Sequence, residues 1–474
     1  MNSDQDDHHC DILVVGAGAA GLFAALAARG AIGADGRRRN VPANAPHVVL
    51  LNNEARLGLK ILVSGGGRCN VSNGHVDEGD YETDTPRVLK GLLREFPVES
   101  IRTFFESRGC RLQQEALGKL FPCSGKARDV LQTLLASVED AGIPLIAPAQ
   151  VDRLIPPASE SLSWSATLAD GSRWQANRLI LATGGKSLPK TGSRGFGLTQ
   201  LAQLGHTMAP PVPALTSMRL HPDGPLAGLA GLTVAAVLTL SPTRVEPEQL
   251  SGARHRPLAR AAGSLLVTHK GATGPVAFDV SVACQRALDG ADDVTLRADF
   301  WSLSESAGVW SEYRGQPKPP GACLQPKLTP RPPTRELFEA QAKDLFAQGD
   351  RNLAVALSTR LPRALVGGLV RAAGLDPDIK VKQIDTRGRR QLFLALTQVD
   401  LRLQGTDGYE KAEVTAGGVL LAQLERRTLE SRLLPGLHCC GEVVNVTGRL
   451  GGFNFQWAWS SGYAAGMGAA AQFA

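Results

Sequence analysis

The sequence predicts an α/β protein: a parallel sheet covered by helices, interrupted by an inserted antiparallel β-domain and a small helical domain. Three observations predict it. Apolar, β-branched runs at Asp11–Val15 and Leu179–Thr183 read as strands buried on both faces. The pattern Gly16-Ala-Gly18-Ala-Ala-Gly21 follows the first run at once and opens an Ala-rich helix over Leu22–Arg29. From about Pro210 the chain changes to short β-like runs separated by turn residues.

The elements follow in order. His47–Leu51 is the second strand, reached through Gly30–Pro46. That stretch is longer than a usual helix-to-strand loop, and its Arg37-Arg38-Arg39 and two prolines mark an exposed excursion. Leu57–Asn73 is dense in Gly and polar residues and reads as a functional loop. Arg87–Arg108 and Lys126–Ala141 have helical spacing. Val151–Ile155, Ser163–Leu168 and Arg173–Gln175 read as a small antiparallel sheet with a turn at Asp170-Gly171. The inserted β-domain carries runs at Ser217–Leu220, Thr233–Leu240, Ser264–Thr268 and Val294–Ala298. Seven prolines between Pro317 and Pro333 form a stiff linker. Helices are expected at Arg335–Phe346, Asn352–Arg360 and Ala364–Ala373, with Gly374 as C-cap. From Ala412 the chain is again Gly-rich and strand-like, up to a last helix from about Gln456. The expected domains are 1–208 and 396–474 for the two parts of the α/β domain, 209–315 for the β insertion and 334–395 for the helices.

Composition sets the class. The chain has 474 residues, which at roughly 100–200 per domain allows two to four domains. An apolar share of 43% supplies a full core and excludes general disorder. The formal charge of +6 is mild at this length and is not the footprint of a dedicated nucleic-acid binder. None of the eight cysteines forms a CxxC pair, which argues against zinc and dithiol chemistry, and no metal site is expected. Cys439 and Cys440 read as buried strand thiols. Met1–His9 is polar and acidic, unlike a signal peptide, and the longest apolar run, Ala227–Leu240, is too short to span a bilayer. A soluble, reducing, cytoplasmic setting is the expectation.

The strand–GxGxxG–helix order points to dinucleotide binding. Gly16 permits the tight turn, Gly18 a close approach of pyrophosphate, and Gly21 close helix–strand packing. The acid expected after the second strand is replaced by Asn52, with Glu54 the alternative contact to the ribose. Ser64-Gly-Gly-Gly-Arg68-Cys69-Asn70 offers a bare backbone and a fixed cation. Thr183-Gly184 follows a strand and can bring a loop onto a cofactor. Gly441-Glu442 places a carboxylate after a strand, suited to ribose or ribityl hydroxyls, and Gly451-Gly452-Phe453-Asn454 precedes a helix. Trp457 and Trp459 read as core. Gly192-Ser-Arg-Gly195-Phe-Gly197 reads as turn chemistry, and no second glycine fingerprint marks a dedicated NAD domain.

The blocks GAGAAGL (16–22), GLKILVSGGGRCNVSN (58–73), THKGATGP (268–275), AEVTAGGV (412–419) and GEVVNVTGRLGGFNFQWAWSSGYAAG (441–466) resemble the BaiN-like family of NAD(P)/FAD-dependent oxidoreductases, almost from end to end. The resemblance implies a FAD-binding Rossmann-like fold of the two-dinucleotide-binding-domain flavoprotein type. It carries an inserted antiparallel β-barrel-like domain and a small helical domain. It places Gly16, Gly18, Ala19, Ala20 and Gly21 at the pyrophosphate, and Lys60, Arg68, Cys69 and Asn70 along the flavin loop. Val151 falls near the adenine, and Thr183 and Gly184 beside the cofactor. Gly441, Glu442, Gly452, Phe453 and Asn454 fall around the ribityl and ring. Family members usually carry Glu where Asn52 stands. One branch reduces conjugated double bonds in 3-oxo bile-acid intermediates.

The implied function is FAD-dependent oxidoreduction, with NAD(P)H as electron donor and an electron-poor small molecule, such as an enone, as acceptor. His269, between an apolar strand and a turn, is the candidate catalytic acid, against a plain structural role. The alternatives are a flavin-dependent RNA-modifying or oxygen-using enzyme, and a non-catalytic FAD redox sensor whose Arg37–Arg39 meets an anionic partner. The oligomeric state is left open.

Overall fold

The computed structural model describes residues 7–157, 163–245, 256–304 and 334–473. The proline-rich stretch 317–333 lies outside them. The chain divides into two compact units, Met1–Pro213 with Glu413–Ala474, and Ala214–Ala412.

In the first unit, Asp7–Val15 (β1) lies between Val48–Leu51 (β2) and the strand Arg173–Leu181, parallel to both. Leu145–Ile146 extends the sheet beyond β2, and Leu437–Cys439 pairs in parallel with the end of Arg173–Leu181. Burial on both faces explains the unbroken apolar runs: β2 is fully buried, as are Ile12–Val15. Arg173–Leu181 is one strand, not two: its first half pairs antiparallel with Trp164–Leu168, its last residues with Leu437–Cys439. The expected small sheet over 151–175 is therefore an antiparallel wing of the main sheet.

The helix Ala19–Ala28 (α1) packs against the last helix, Phe453–Ala470. Small residues permit this contact. A Cβ at Gly462 would lie 2.5 Å from Ala20 O, and one at Gly466 would overlap Ala24 O. The last helix begins three residues before Gln456, with Gly452 (φ +97°) as its N-cap. The stretch 87–108 holds two helices, Pro86–Glu95 and Val98–Glu106, because Pro97 ends the first and starts the second.

The second unit is a seven-stranded antiparallel sheet with helices. The strand order is Val399–Asp400, Val294–Asp299, Thr233–Pro242, Ala259–Thr268, Gly271–Thr273, Met218–Leu220, Leu403–Thr406. Here the boundary expected at 396 shifts. Val399–Asp400 and Leu403–Thr406 are the two edge strands of this sheet, and the chain returns to the first unit only at Glu413. Phe338, Leu345, Leu365 and Leu396 share one apolar cluster with Leu238, Leu265 and Val276, so the helices and the sheet have a common core.

Candidate functional site

Gly16 ends β1 at φ +108°, and its N–H donates to Leu51 O at 2.8 Å. A Cβ there would lie 2.5 Å from Ala182 O, and one at Gly21 would overlap Gly16 O. Both glycines are thus required by protein packing. Gly18 is different. It is the N-cap of α1 at φ −80°, which any residue adopts, and no atom lies within 4 Å of a Cβ built on it. The protein leaves open space there, above a helix N-terminus that no side chain caps.

Asn52 is occupied by the loop itself. Its Oδ1 accepts from Ala17 N at 3.2 Å, and its Nδ2 donates to Glu54 O at 2.6 Å. Glu54 pairs with Arg194 at 3.1 Å, so Gly192–Gly197 is a turn that holds an acid. Val151 starts its strand just after Ala149, whose N–H donates to Asn52 O. Ala19 and Ala20 open α1, and a Cβ at Gly441 would lie 2.8 Å from Ala20 Cβ.

The stretch 57–73, expected as a loop, starts as a helix over Leu59–Gly67 and breaks at Ser64. Gly65, Gly66, Gly67 and Cys69 then all have φ between +56° and +83°. Cys69 is fully buried, and burial pushes its thiol up to about 12, so it is neutral. Arg68 makes a two-pronged pair with Glu115 (2.9 and 3.1 Å) and lies 3.9 Å over the Phe121 ring. Asn70 Oδ1 accepts from Leu120 N at 3.1 Å.

The C-terminal blocks meet these segments. Gly452 packs so closely that a Cβ would overlap Ser72 O and lie 3.0 Å from Asn70 Oδ1. Asn73 Nδ2 donates to Gly451 O at 3.1 Å, and Ser72 Oγ to Gln456 Oε1 at 2.7 Å. Trp459 Nε1 donates to Val71 O, and Trp457 Nε1 to Gly441 O. Both tryptophans are core, and both also fix cofactor-motif backbone. Phe453 is buried under Arg449, its carbonyl accepting from Tyr81 OH. Asn454 makes two 2.8 Å bonds to Gly448. The side chains of Phe453, Asn454 and Asn70 thus hold the loops in shape.

A polar cluster joins the segments. Lys60 Nζ donates to Ser187 Oγ (2.6 Å) and to Glu442 Oε2 (2.7 Å). Glu442 Oε1 accepts from Ser187 Oγ (2.9 Å) and Thr415 N (2.7 Å). Thr415 Oγ1 accepts from the N–H groups of Lys186 and Ser187. A side chain at Gly185 would strike both Thr415 and Glu442. Ser187 and Thr415 had no sequence signal beyond their place beside glycine pairs. Gly184 (φ +72°) faces Ser193. Thr183 Oγ1 is buried without a hydrogen-bond partner.

The open space at Gly18 and the orphaned Thr183 hydroxyl fit a dinucleotide whose polar atoms complete the site. His269 belongs to the second unit, exposed in the turn between Ala259–Thr268 and Gly271–Thr273. Cys439 and Cys440 are buried free thiols, both raised by desolvation. Among the described residues no group of three or more His, Cys, Asp and Glu could hold a metal ion, and no helix is long and apolar enough to cross a membrane.

Comparison with known proteins agrees with this geometry. Residues 10–468 match the family described as HI0933-like protein Rossmann domain. The chain is 31% identical to the ribosomal RNA dihydrouridine synthase of Escherichia coli (strain K12), over 96% of each chain. It is 29% identical to the 3-dehydro-bile acid delta(4,6)-reductase of Clostridium scindens, over 96% of this chain and 98% of that one. Among solved structures, a 3-ketosteroid-delta4-(5alpha)-dehydrogenase from Rhodococcus jostii RHA1 is 14% identical with a TM-score of 0.45, covering 99% of this chain and 98% of that one. The chain therefore belongs to the HI0933-like Rossmann family, the FAD-dependent oxidoreductases whose sequence blocks it shares.

Proposed function

We propose that this protein uses FAD, reduced by NAD(P)H, to saturate a carbon–carbon double bond conjugated with a carbonyl group. The observation that carries this is chemical. A bile-acid enone and the uracil ring of RNA both contain such a bond, so the names of the two curated relatives describe one reaction class. Bound FAD would supply hydride transfer to the electron-poor β-carbon.

The protein's part is placement. Gly16–Gly21 and the N-terminus of α1 would receive the pyrophosphate. Lys60 fixes one oxygen of the Glu442 carboxylate, and Ser187 and Thr415 fix the other, so that this carboxylate would accept from the sugar-alcohol hydroxyls of the cofactor. The backbone of Gly65–Gly67 and the uncapped N-terminus of the last helix would face the ring. His269 is our candidate donor of the proton that completes reduction at the α-carbon. Free buried cysteines fit a cytoplasmic setting.

The test is anaerobic. FAD-loaded protein is mixed with NADH or NADPH, then with a small enone or with uridine-containing RNA. Nicotinamide oxidation with a product heavier by two hydrogens supports the proposal. No flavin bleaching by either nicotinamide, or no reduction of either acceptor, overturns it. His269→Ala with unchanged flavin reoxidation by the accepted substrate removes His269 from the chemistry.

A further inference from the structure

We propose that the Gly30–Pro46 excursion is a docking surface for the sugar-phosphate backbone of an RNA. This rests on the RNA branch of the function proposed above. The segment lies within the first unit, directly after α1, and no cofactor motif uses it.

The excursion is built, not slack. Ile32 and Arg38 form an antiparallel bridge, and Arg39 N donates to Ala31 O at 2.9 Å. Ser100 Oγ donates to Ala34 O at 2.6 Å. Gly36 (φ +79°) presses on the Val98–Glu106 helix so closely that a Cβ would overlap Ser100 O. Arg108 donates to Gly36 O at 3.1 Å, and Arg29 to the carbonyls of Ala45 and Pro46 at 2.9 and 2.8 Å. These contacts fix the backbone while the side chains of Arg37 and Arg38 stay 76% and 64% exposed.

Basic groups outnumber acids along the excursion. Arg108, stacked 4.0 Å over Phe104, lies near Arg38, and burial and then Arg38 push its guanidinium down to about 10. Asp140 pairs with Arg38 at 3.0 Å, and Asp35 with Arg37 at 3.8 Å. Arg39 lies over Gly33, where a Cβ would overlap it. These four guanidinium groups have Asp35, Asp140 and, beside Tyr463, Glu95 as acidic neighbours. Folding gains nothing from gathering like charges, whereas forked, weakly hydrated cations suit phosphate oxygens.

Position and surroundings select the partner. The excursion sits at the C-terminal end of α1 and Gly18 at its N-terminal end. Ten helical residues at about 1.5 Å each separate them by roughly 15 Å. A partner that touches the excursion and also reaches the cofactor seated at Gly18 is larger than a free enone. The neighbours Ala34, Asn40, Pro42, Ala43 and Asn44 offer no large apolar side chain for insertion into a lipid surface. A hydrated, extended polyanion remains, and uridine-bearing RNA is the one the chemistry requires.

The test uses FAD-loaded protein and a fluorescein-labelled RNA hairpin, with anisotropy read at several salt concentrations. The combined variant Arg37→Ala, Arg38→Ala, Arg39→Ala leaves every backbone anchor in place. It is expected to bind the hairpin at least tenfold more weakly. Its salt slope should fall by about two, at roughly 0.7–0.9 per lost phosphate contact. Its FAD content, melting temperature and reduction of a small enone should be unchanged. Equal RNA affinity of variant and wild type overturns the proposal, as does wild-type binding to heparin or anionic phospholipid vesicles as tight as to RNA. If the wild type reduces no acceptor yet binds the hairpin through these arginines, the proposed reaction fails and the docking surface stands.

Discussion

Lys60 Nζ lies 2.7 Å from Glu442 Oε2, an ion pair between residues 382 positions apart in the chain. The two side chains keep 27% and 18% of their exposure, so the pair is partly desolvated and its hydrogen bonds count for more than those of a surface pair. It ties the start of α2 (Leu59–Gly67) to the loop after Leu437–Cys439, the two regions that carry the cofactor motifs.

Lys60→Met leaves Glu442 with Ser187 and Thr415 N alone. We expect a loss of about 1.5–3 kcal/mol, the range for a hydrogen bond to a charged group, in thermal stability and FAD affinity taken together. Lys60→Met with Glu442→Gln should recover part of it, because no unpaired charge is left. A double-mutant cycle on melting temperature and FAD Kd checks this, and strict additivity would show that the pair is energetically silent.

Asn52→Ala frees Ala17 N–H in the glycine loop and removes the donor to Glu54 O. FAD affinity should fall about fivefold, equivalent to about 1 kcal/mol for one neutral hydrogen bond. Fluorescence titration with FAD reads it directly. An unchanged Kd would mean that the loop keeps its shape without Asn52.

Asp299 is buried, and desolvation raises its carboxyl to about 6 against hydrogen bonds from Trp301 N, Ser302 N and Ser302 Oγ. Its folded value lies above the ordinary 3.8, so the fold binds this proton more tightly than the unfolded chain. Its contribution is fully present below the unfolded value and is lost as pH rises through about 6. Asp299→Asn keeps an acceptor for both N–H groups and removes the titration. Denaturation of the second unit at about pH 5 and about pH 7.5 should differ in the wild type and not in the variant.

His438 acts in the opposite sense in the first unit. Its ring is buried in the Leu437–Cys439 strand, Nδ1 bonds Thr428 O at 2.8 Å, and burial holds its pKa below the ordinary 6.5. The folded ring stays neutral where the unfolded one charges, so stability falls as pH drops through the unfolded value. Hydrogen exchange read separately over the two units should show the first weakening on acidification. His438→Asn, which retains a donor for Thr428 O, should reduce that weakening.

Much of the fold was readable because burial leaves a period in the sequence. β1 and β2 are covered on both faces and read as unbroken apolar runs. The exposed excursion announced itself by Arg37–Arg39. The helix Pro275–Asp289 escaped notice because its buried face carries β-branched Val276, Val280 and Val282, which favour strands, and Thr386–Thr397 because it opens on Arg387, Arg389 and Arg390. In the site, glycine spacing marked where the backbone packs too closely for a side chain, at Gly16 and Gly21. Lys60 was named from the sequence, but its pairing with Glu442 was not legible, and neither were Ser187 and Thr415, since the three come from remote segments that only the folded chain brings together.

The most direct measurement is calorimetric titration of FAD into apoprotein, wild type and Gly18→Ala side by side. Nothing in the protein lies within 4 Å of a Cβ at Gly18, and its φ of −80° suits alanine, so the variant should fold with a near wild-type melting temperature. Wild type should bind one FAD per chain, and Gly18→Ala should bind it at least tenfold more weakly. A wild type that takes up no FAD, or a well-folded Gly18→Ala that binds it equally well, would contradict a cofactor seated where the two ends of the chain meet.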